Sequence, residues 1–194
     1  MPIVLASASP RRRYLLEQAG VVFEVIVPPV AEIHDASMQP AVLCEHNAAL
    51  KAMSVACLRP DATVIGSDTL VFIDGEALGK PANMLEARGM LRRLAGRAHQ
   101  VCTGVCVVFP GAARRKVFHA TTEVTFLPLD EAAIDTYFTL VNPLDKAGAY
   151  GIQHHAARII AGIRGSFDNV MGLPVDMVIA ALQEESDCGT ANHE

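Results

Sequence analysis

Short apolar runs alternate along the chain with longer segments in which apolar residues recur every three or four positions. The short runs predict strands, and the amphipathic segments predict helices. Strands are predicted over residues 3–6, 21–27, 62–73, 100–109, 116–127 and 158–163, and helices over residues 10–19, 39–58, 83–94, 131–140 and 174–183. This alternation is typical of an α/β protein.

Residues that favour turns and helix ends support these boundaries. Ser9 stands where an N-cap is expected, directly before a proline, and Gly20 follows the end of the first helix. Asp74 and Gly75 form a hairpin signal after the longest apolar run. Two segments are predicted to lack regular structure, the loop 165–173 and a disordered tail at 186–194.

Composition narrows the class of protein. With 194 residues and no internal repeat or linker, the chain is predicted to form a single domain over residues 1–185. No apolar run approaches the roughly 20 residues that span a bilayer, so no membrane insertion is expected. The formal net charge of −5 argues against nucleic-acid binding. Five cysteines without a Cys-x-x-Cys pair, and an N-terminus without an export signal, favour the cytoplasm.

The loop Ser7–Arg13 enters the first predicted helix and carries the first chemical signal. Free backbone N–H groups at a helix N-terminus, together with arginine side chains, favour a bound anion such as phosphate. The alternative is a solvated first turn. That alternative leaves unexplained why three arginines stand at the positive end of the helix dipole.

Asp68 is the second signal, because it is a carboxylate inside an otherwise apolar strand. Such a group is costly to bury unless it is paired, binds a metal or faces a cleft. A bound Mg²⁺ would satisfy it, and so would a purely structural set of hydrogen bonds from backbone amides. Both interpretations stay open from the residues alone.

Two further segments carry weaker signals. Lys80 precedes a proline and has the charge to reach a phosphate, although an isolated lysine is usually a surface residue. Residues 145–153 combine charges, small residues that permit close backbone approach, and Gln153, whose amide is able to read a base edge. His154 and His155 are adjacent and lack a third ligand at a known spacing, so they predict no metal site.

Five segments together closely resemble the Maf family of nucleoside triphosphate pyrophosphatases. They are Leu5–Arg12, Ile65–Thr69, Gly79–Pro81, Asp145–Gln153 and the Gly165–Phe167 and Val170–Pro174 pair. The resemblance covers nearly the whole chain. It implies an elongated mixed α/β sheet with flanking helices, related to inosine-triphosphate pyrophosphatases, with two lobes around a cleft. It also implies a homodimer and hydrolysis of a nucleoside triphosphate between the α- and β-phosphates with Mg²⁺ or Mn²⁺.

The resemblance also implies roles for individual residues. Asp68 matches the catalytic acidic residue, and the polar cleft positions are matched by Ser9, Arg11, Arg12, Glu32, Lys51 and Lys80. The positions linked to substrate choice are matched by Arg12, Thr69 and Gln153. The Ala-Tyr-Gly-Ile-Gln segment is similar to the branch acting on dTTP and UTP. The alternatives are a 7-methyl-GTP or other noncanonical nucleotide pyrophosphatase, and a nucleotide-binding regulator of cell division without turnover.

These assignments suggest a mechanism. Asp68 and Glu32 are expected to hold one or two Mg²⁺ or Mn²⁺ ions, because carboxylate oxygens suit hard cations. Asp68 would orient or deprotonate the attacking water, and the sequence does not separate that role from metal binding. The cationic side chains of Arg11, Arg12, Lys51 and Lys80 would stabilise charge on the phosphates.

Overall fold

A mixed sheet of seven strands forms the centre of the protein in the computed structural model, which describes residues 1–35, 37–153 and 155–190. The strands are β1 Ile3–Ala6, β2 Glu24–Val25, β3 Thr63–Ile73, β4 Glu76–Leu78, β5 Ala98–Val108, β6 Arg115–Phe126 and β7 Ile160–Arg164. Their order is β2-β1-β3-β5-β6-β7, and β4 pairs with β3. Strand β1 is parallel to β2 and β3, whereas the other pairs are antiparallel. The predicted mixed α/β sheet is confirmed.

Helices flank this sheet. They are α1 Pro10–Gln18, α2 Pro40–Ala56, α3 Met84–Leu94, α4 Glu131–Leu140, α5 Phe167–Met171 and α6 Val175–Thr190, with short 3-10 turns at Ala147–Ala149 and Ala156–Arg158. Ser9, Asn83 and Asp130 cap α1, α3 and α4 by accepting a backbone N–H with their side chains. No helix within the described ranges is both long and apolar enough to cross a bilayer.

The structure differs from the sequence predictions in the second strand. Residues 21–27 are predicted to be extended, but β2 is only Glu24–Val25, and both of its residues are exposed. The strand lies at the edge of the sheet and pairs only with the four-residue β1. The prolines at 28 and 29 follow, and a proline has no backbone N–H with which to extend the pairing.

Two further differences concern helices. Residues 165–173 are predicted to be a loop, but they contain α5, because the Ser166 side chain accepts the N–H of Asn169 and caps a short helix. Helix α6 continues to Thr190 past the predicted end at 183, so residues 186–190 are helical where a tail is predicted. Residues 191–194 lie outside the described part of the chain.

Strand β3 is covered on both faces, as its apolar sequence predicts. Its odd-numbered Ile65 packs among residues of α1 and α6, whereas its even-numbered Val64 packs among residues of α2. Alternation along a strand therefore directs the even-numbered Asp68 towards α2 and the flanking Ser67 and Thr69 towards the opposite face.

Helix α2 lies unusually close to the sheet, and two glycines allow this approach. A Cβ atom at Gly66 would overlap the backbone of Ala48, and one at Gly104 would overlap the backbone of Cys44. Both contacts are with helix backbone, which cannot move aside as a flexible side chain does. The glycines therefore set the height of α2 above β3 and β5.

Replacement of Gly104 by alanine is expected to lower the free energy of unfolding by about 3 kcal/mol, because the helix must shift away from the sheet. Gly89 is the matched control, since it lies inside α3 with nothing within 4 Å of an added Cβ. Its replacement by alanine should raise stability by about 0.5–1 kcal/mol. Urea unfolding measures the free energy of unfolding of both variants. Equal values for the two would contradict the close approach of α2 to the sheet.

Candidate active site

The candidate site lies at a notch in the sheet, where one edge of β3 loses its neighbour. Strand β1 pairs with β3 only as far as Ala6 opposite Gly66, and β4 begins to pair only at Val71 opposite Leu78. Ser67, Asp68 and Thr69 lie between these two limits. The loop that follows β1 carries Ser7 and Ser9, and the segment that follows β4 carries Lys80, so the topology brings three of the five resembling segments to one place.

Asp68 faces α2 and makes both of its contacts with that helix. Its Oδ1 accepts a hydrogen bond from Lys51 Nζ at 2.7 Å, and its Oδ2 accepts one from Asn47 Nδ2 at 3.1 Å. The partners are side chains, so the alternative of a carboxylate held by backbone amides is wrong. Burial by itself would raise the pKa of Asp68, but the charge and hydrogen bond of Lys51, with Arg12 and Asn47, outweigh it and lower the pKa. Asp68 is therefore an anion at neutral pH.

Lys51 joins Asp68 to a second carboxylate. Its ammonium group donates to Glu32 Oε1 at 2.6 Å and to the backbone oxygen of Ser67 at 3.3 Å, in addition to Asp68. The Asn47 side chain also clamps the loop that carries Glu32, because it exchanges two hydrogen bonds with the backbone of Ile33. The amide of one helical residue thus fixes both carboxylates relative to each other.

Arg12 occupies the opposite face of β3. Its guanidinium donates to the carbonyl of Gly172 at 2.8 Å, to Thr69 Oγ1 at 2.9 Å and to Ser7 Oγ at 3.3 Å. Burial lowers the pKa of Arg12, against the opposing effects of Asp68 and Glu32. The interpretation of this loop as a solvated helical turn is therefore wrong for Arg12.

The neighbouring arginines behave differently. Arg11 Nη1 lies 3.4 Å from Asp145 Oδ2, and the other oxygen of that carboxylate accepts from Lys146 Nζ at 2.5 Å. Arg13 is exposed and pairs with Glu17 one helical turn away. Arg11 is therefore tied to the segment 145–153, whereas Arg13 has no part in the site.

Gln153 lines a cavity of about 250 Å³ together with Asn142, Lys146, Gly151 and the exposed His155. Lys146 connects this cavity through Asp145 to Arg11. His154 lies outside the described residues.

The segment leading to this cavity is held by two further contacts. The N–H of Gly148 donates to the carbonyl of Gly79 at 3.0 Å, next to the exposed Lys80. The buried Tyr150 hydroxyl contacts His99 Nε2 at 2.7 Å, and burial lowers the pKa of His99 to about 4, so this imidazole is neutral at neutral pH. The backbone next to Lys80 is therefore fixed relative to the segment that leads to the cavity.

The predicted residues thus fall into three groups around the notch. Asp68, Glu32 and Lys51 are in direct contact, and so are Arg12 and Thr69, while Ser9 caps the helix between them. In the part of the chain that the structure describes, Gln153 and Lys80 make no hydrogen bond with any of these residues. Arg11 contacts Asp145 instead. Asn47 was not predicted from the sequence, and Ser7 and Asp145 were predicted only as members of their segments, without a role of their own.

The donor set suits a divalent cation that arrives with phosphate. Asp68 and Glu32 present carboxylate oxygens on either side of Lys51 Nζ. Among the described residues, no group of three or more His, Cys, Asp or Glu is arranged to hold a metal. Mg²⁺ is commonly bound through one or two carboxylates, with water and substrate phosphates completing its shell. Asp68 and Glu32 have oxygen donors of this kind, and one oxygen of each accepts from Lys51 Nζ in this structure.

The sequence matches one protein family and several named relatives over nearly its whole length. The family model described as Maf-like protein matches residues 2–185. A relative from Akkermansia muciniphila is 51% identical, with 93% of this chain and 95% of that protein covered, and is named dTTP/UTP pyrophosphatase. A relative from Symbiobacterium thermophilum with the same name is 47% identical, over 94% of this chain and 93% of its own.

A solved structure shows a similar fold. The Ham1 protein of Staphylococcus aureus superposes with a TM-score of 0.54 at 18% identity, covering 95% of this chain and 100% of that one. At this identity the likeness concerns the fold alone. It agrees with the predicted mixed α/β sheet with flanking helices.

Proposed function

The chain belongs to the Maf-like protein family, and on that premise we propose that it hydrolyses dTTP and UTP to the nucleoside monophosphate and pyrophosphate. The observation that carries the proposal is the notch itself. One buried carboxylate, Asp68, is held in a fixed orientation there by Lys51 and Asn47, and the positive charge of Arg12 acts on it from the other face of the strand.

The cationic side chains supply the phosphate-binding part of this function. Arg12 uses three of its five N–H groups on the protein, which leaves two for phosphate oxygens. Ser9 caps α1, whose N-terminal N–H groups favour an anion at the same edge. A triphosphate would lie along this edge with its charge offset by fixed donors, which is the main contribution a protein makes to phosphoryl transfer.

The carboxylates supply the hydrolytic part. Asp68 stays ionised because its pKa is lowered, so its oxygens are available to accept a hydrogen bond from the attacking water and orient it. A Mg²⁺ or Mn²⁺ ion held by Asp68 and Glu32 would neutralise phosphate charge and acidify that water. Lys51, whose three N–H groups are directed to Glu32, Asp68 and the Ser67 carbonyl, would hold Asp68 in place during this step.

The cavity beside Gln153 supports a pyrimidine substrate. The Asn142 side chain accepts the backbone N–H of Leu144 at 3.1 Å, and only the amide oxygen is able to accept. Its NH₂ group is therefore the end left for a ligand, and it matches the carbonyl oxygens of uracil and thymine. The Gln153 amide presents a second donor and acceptor in the same cavity.

We also propose that the protein acts as a homodimer in the cytoplasm, as the family resemblance and the cysteine pattern imply. Size-exclusion chromatography with light scattering tests the dimer: a mass near twice the 20.7 kDa of the chain is expected, and a mass equal to it would contradict the proposal.

A nucleotide panel tests the reaction. We expect pyrophosphate and monophosphate from dTTP and UTP with Mg²⁺ or Mn²⁺, and a kcat/KM about tenfold or more above those for CTP, GTP and 7-methyl-GTP. Orthophosphate in place of pyrophosphate would contradict the bond assignment. A preference for 7-methyl-GTP or another noncanonical purine would favour that branch, and binding without product would favour a regulator of cell division.

A further inference from the structure

A line of buried polar side chains runs behind Arg12, away from the notch. Thr103 and Asn169 are fully buried, Thr122 is 1% exposed, and half-buried Thr69 joins them to Arg12. Buried polar groups are costly unless they are hydrogen-bonded. Thr103, Thr122 and Asn169 are too deeply buried to touch a nucleotide, so their contribution to the site must pass through other residues.

The hydroxyl protons in this line have one favourable arrangement. Thr103 Oγ1 donates to the backbone oxygen of Asn169 at 2.9 Å, which uses its only proton. The 3.0 Å contact between Thr103 and Thr69 must therefore have Thr69 as the donor. Thr69 Oγ1 accepts from Arg12 Nη2 at 2.9 Å in either case, because a guanidinium only donates, so what Thr103 decides is where the Thr69 proton points. The line has a fixed direction, from the guanidinium to the Asn169 carbonyl.

The far end of the line is anchored on the sheet. Asn169 Nδ2 donates to the carbonyl of Val101 on β5 at 3.1 Å and to Thr122 Oγ1 on β6 at 2.9 Å. Thr122 in turn donates to the carbonyl of Ser166 at 3.2 Å. Helix α5 is thus held on the β5–β6 hairpin, and Gly172 at its end presents the carbonyl that accepts Arg12 Nε.

The carbonyl of Gly172 is the alternative acceptor for the Thr69 hydroxyl. This carbonyl oxygen accepts from Arg12 Nε at 2.8 Å and from Ser67 Oγ at 3.0 Å, and Thr69 Oγ1 lies 3.4 Å away. If Thr103 offered no acceptor, the Thr69 hydroxyl would turn to this same oxygen. It would then compete with the guanidinium for the Gly172 carbonyl.

We propose that Thr103 is a positioning residue for Arg12: its hydroxyl accepts the Thr69 proton, keeps that proton from the Gly172 carbonyl and thereby holds the guanidinium in the orientation that binds substrate phosphate. This inference rests on the proposed function for the identity of the substrate. It adds a residue on β5 that lies one layer behind the notch and makes no contact with the nucleotide.

Replacement of Thr103 by valine, which keeps the shape and removes the hydroxyl, is expected to lower kcat/KM for dTTP about tenfold, the effect of one hydrogen bond. Thr103→Ser keeps the hydroxyl and should stay within about twofold of the original protein. Thr136→Val is the matched control, since that exposed threonine bonds only within α4. A folded Thr103→Ser variant as impaired as Thr103→Val would overturn the proposal.

A double-mutant cycle separates positioning from a general structural effect. Lysine lacks the fork that bonds Gly172 and Thr69 together, so Thr103→Val should change kcat/KM by no more than about twofold in an Arg12→Lys background. The same tenfold loss in both backgrounds would show that Thr103 does not act through Arg12. Circular dichroism and thermal unfolding of each variant establish that the fold is intact.

Binding measurements keep this test independent of turnover. The dissociation constant of a non-hydrolysable dTTP analogue is expected to rise about tenfold with Thr103→Val and to recover with Thr103→Ser. If no nucleotide releases pyrophosphate but this pattern holds, the proposed function fails and the positioning role stands. An unchanged dissociation constant together with unchanged turnover would overturn the positioning role.

Discussion

Replacement of Asp68 by asparagine is expected to lower pyrophosphate release by about a thousandfold, within the range attributed to general acid–base groups. Asparagine keeps the size of the side chain, but its single oxygen accepts from Lys51 or from Asn47 and not from both, while Lys51 keeps its ion pair with Glu32. The substitution removes the negative charge that the proposed mechanism needs for cation binding and for orienting the attacking water. The loss should therefore appear in kcat while the fold is retained.

The control is Asp135→Asn, which removes a carboxylate from an exposed ion pair with Arg88. It should leave turnover unchanged, because surface pairs contribute little and Asp135 lies on α4 away from the notch. Circular dichroism and the unfolding midpoint check that both variants fold. Pyrophosphate release near the original rate in a folded Asp68→Asn variant would show that Asp68 is not the catalytic carboxylate.

Local sequence signals identified the elements that begin and end at the notch. Ser9 was predictable as an N-cap because the pattern of serine followed by proline is a local preference of helix starts. Asp68 was predictable because a charged residue inside an apolar strand is unusual, and a few neighbouring residues are enough to recognise it. Each signal needs only short-range information, and the structure confirms the cap and the buried position.

Contacts between distant segments were not predictable in the same way. Asn47 lies in the middle of α2, where a polar residue usually faces water, and only the close approach permitted by Gly66 and Gly104 buries it against Asp68. Thr103 reads as an ordinary strand residue, because threonine is common in strands. The positioning role proposed for Thr103 depends on its hydrogen bond to Asn169 in α5. That helix was not predicted, because residues 165–173 were predicted to be a loop.

The sheet register explains why the site residues are dispersed in sequence. Successive residues of β3 point to opposite faces, so Asp68 meets Lys51 from α2 while Thr69 meets Arg12 from α1. The notch leaves this edge of β3 without a neighbouring strand because β1 ends before β4 begins. A nucleotide bound there would contact groups from both layers, which a site on one face of a continuous sheet does not allow.

Replacement of Lys51 by methionine is expected to have the second large effect, on both stability and turnover. The paired side chains of Lys51 and Asp68 are only 8% and 5% exposed, so the variant leaves a buried carboxylate without its cation and with Glu32 nearby. Removing one partner of such a pair costs about 3 kcal/mol or more. Turnover should fall about a hundredfold, because Asp68 is no longer held in place.

The matched control is Lys116→Met, which breaks a surface pair with Glu184 whose side chains are 40% and 65% exposed. This variant should lower the free energy of unfolding by less than about 1 kcal/mol, since water screens an exposed pair. Urea unfolding at pH 7.5 compares the two variants. Similar losses of stability would contradict the burial of the Lys51 pair.

The dependence on pH gives the Lys51 prediction a specific sign. In the original protein the pKa of Asp68 is lowered in the folded state, so the unfolded chain binds more protons below about pH 4 and stability falls as the pH falls there. Without Lys51, burial is the largest effect left on Asp68, and we expect it to raise the pKa of that carboxyl against the smaller effects of Arg12 and Asn47. The folded variant should then bind more protons than the unfolded chain and gain stability as the pH falls towards 4. The stability difference between the two proteins should therefore narrow with decreasing pH, and a difference that stays constant from pH 7.5 to 4 would show that Lys51 does not stabilise the charge on Asp68.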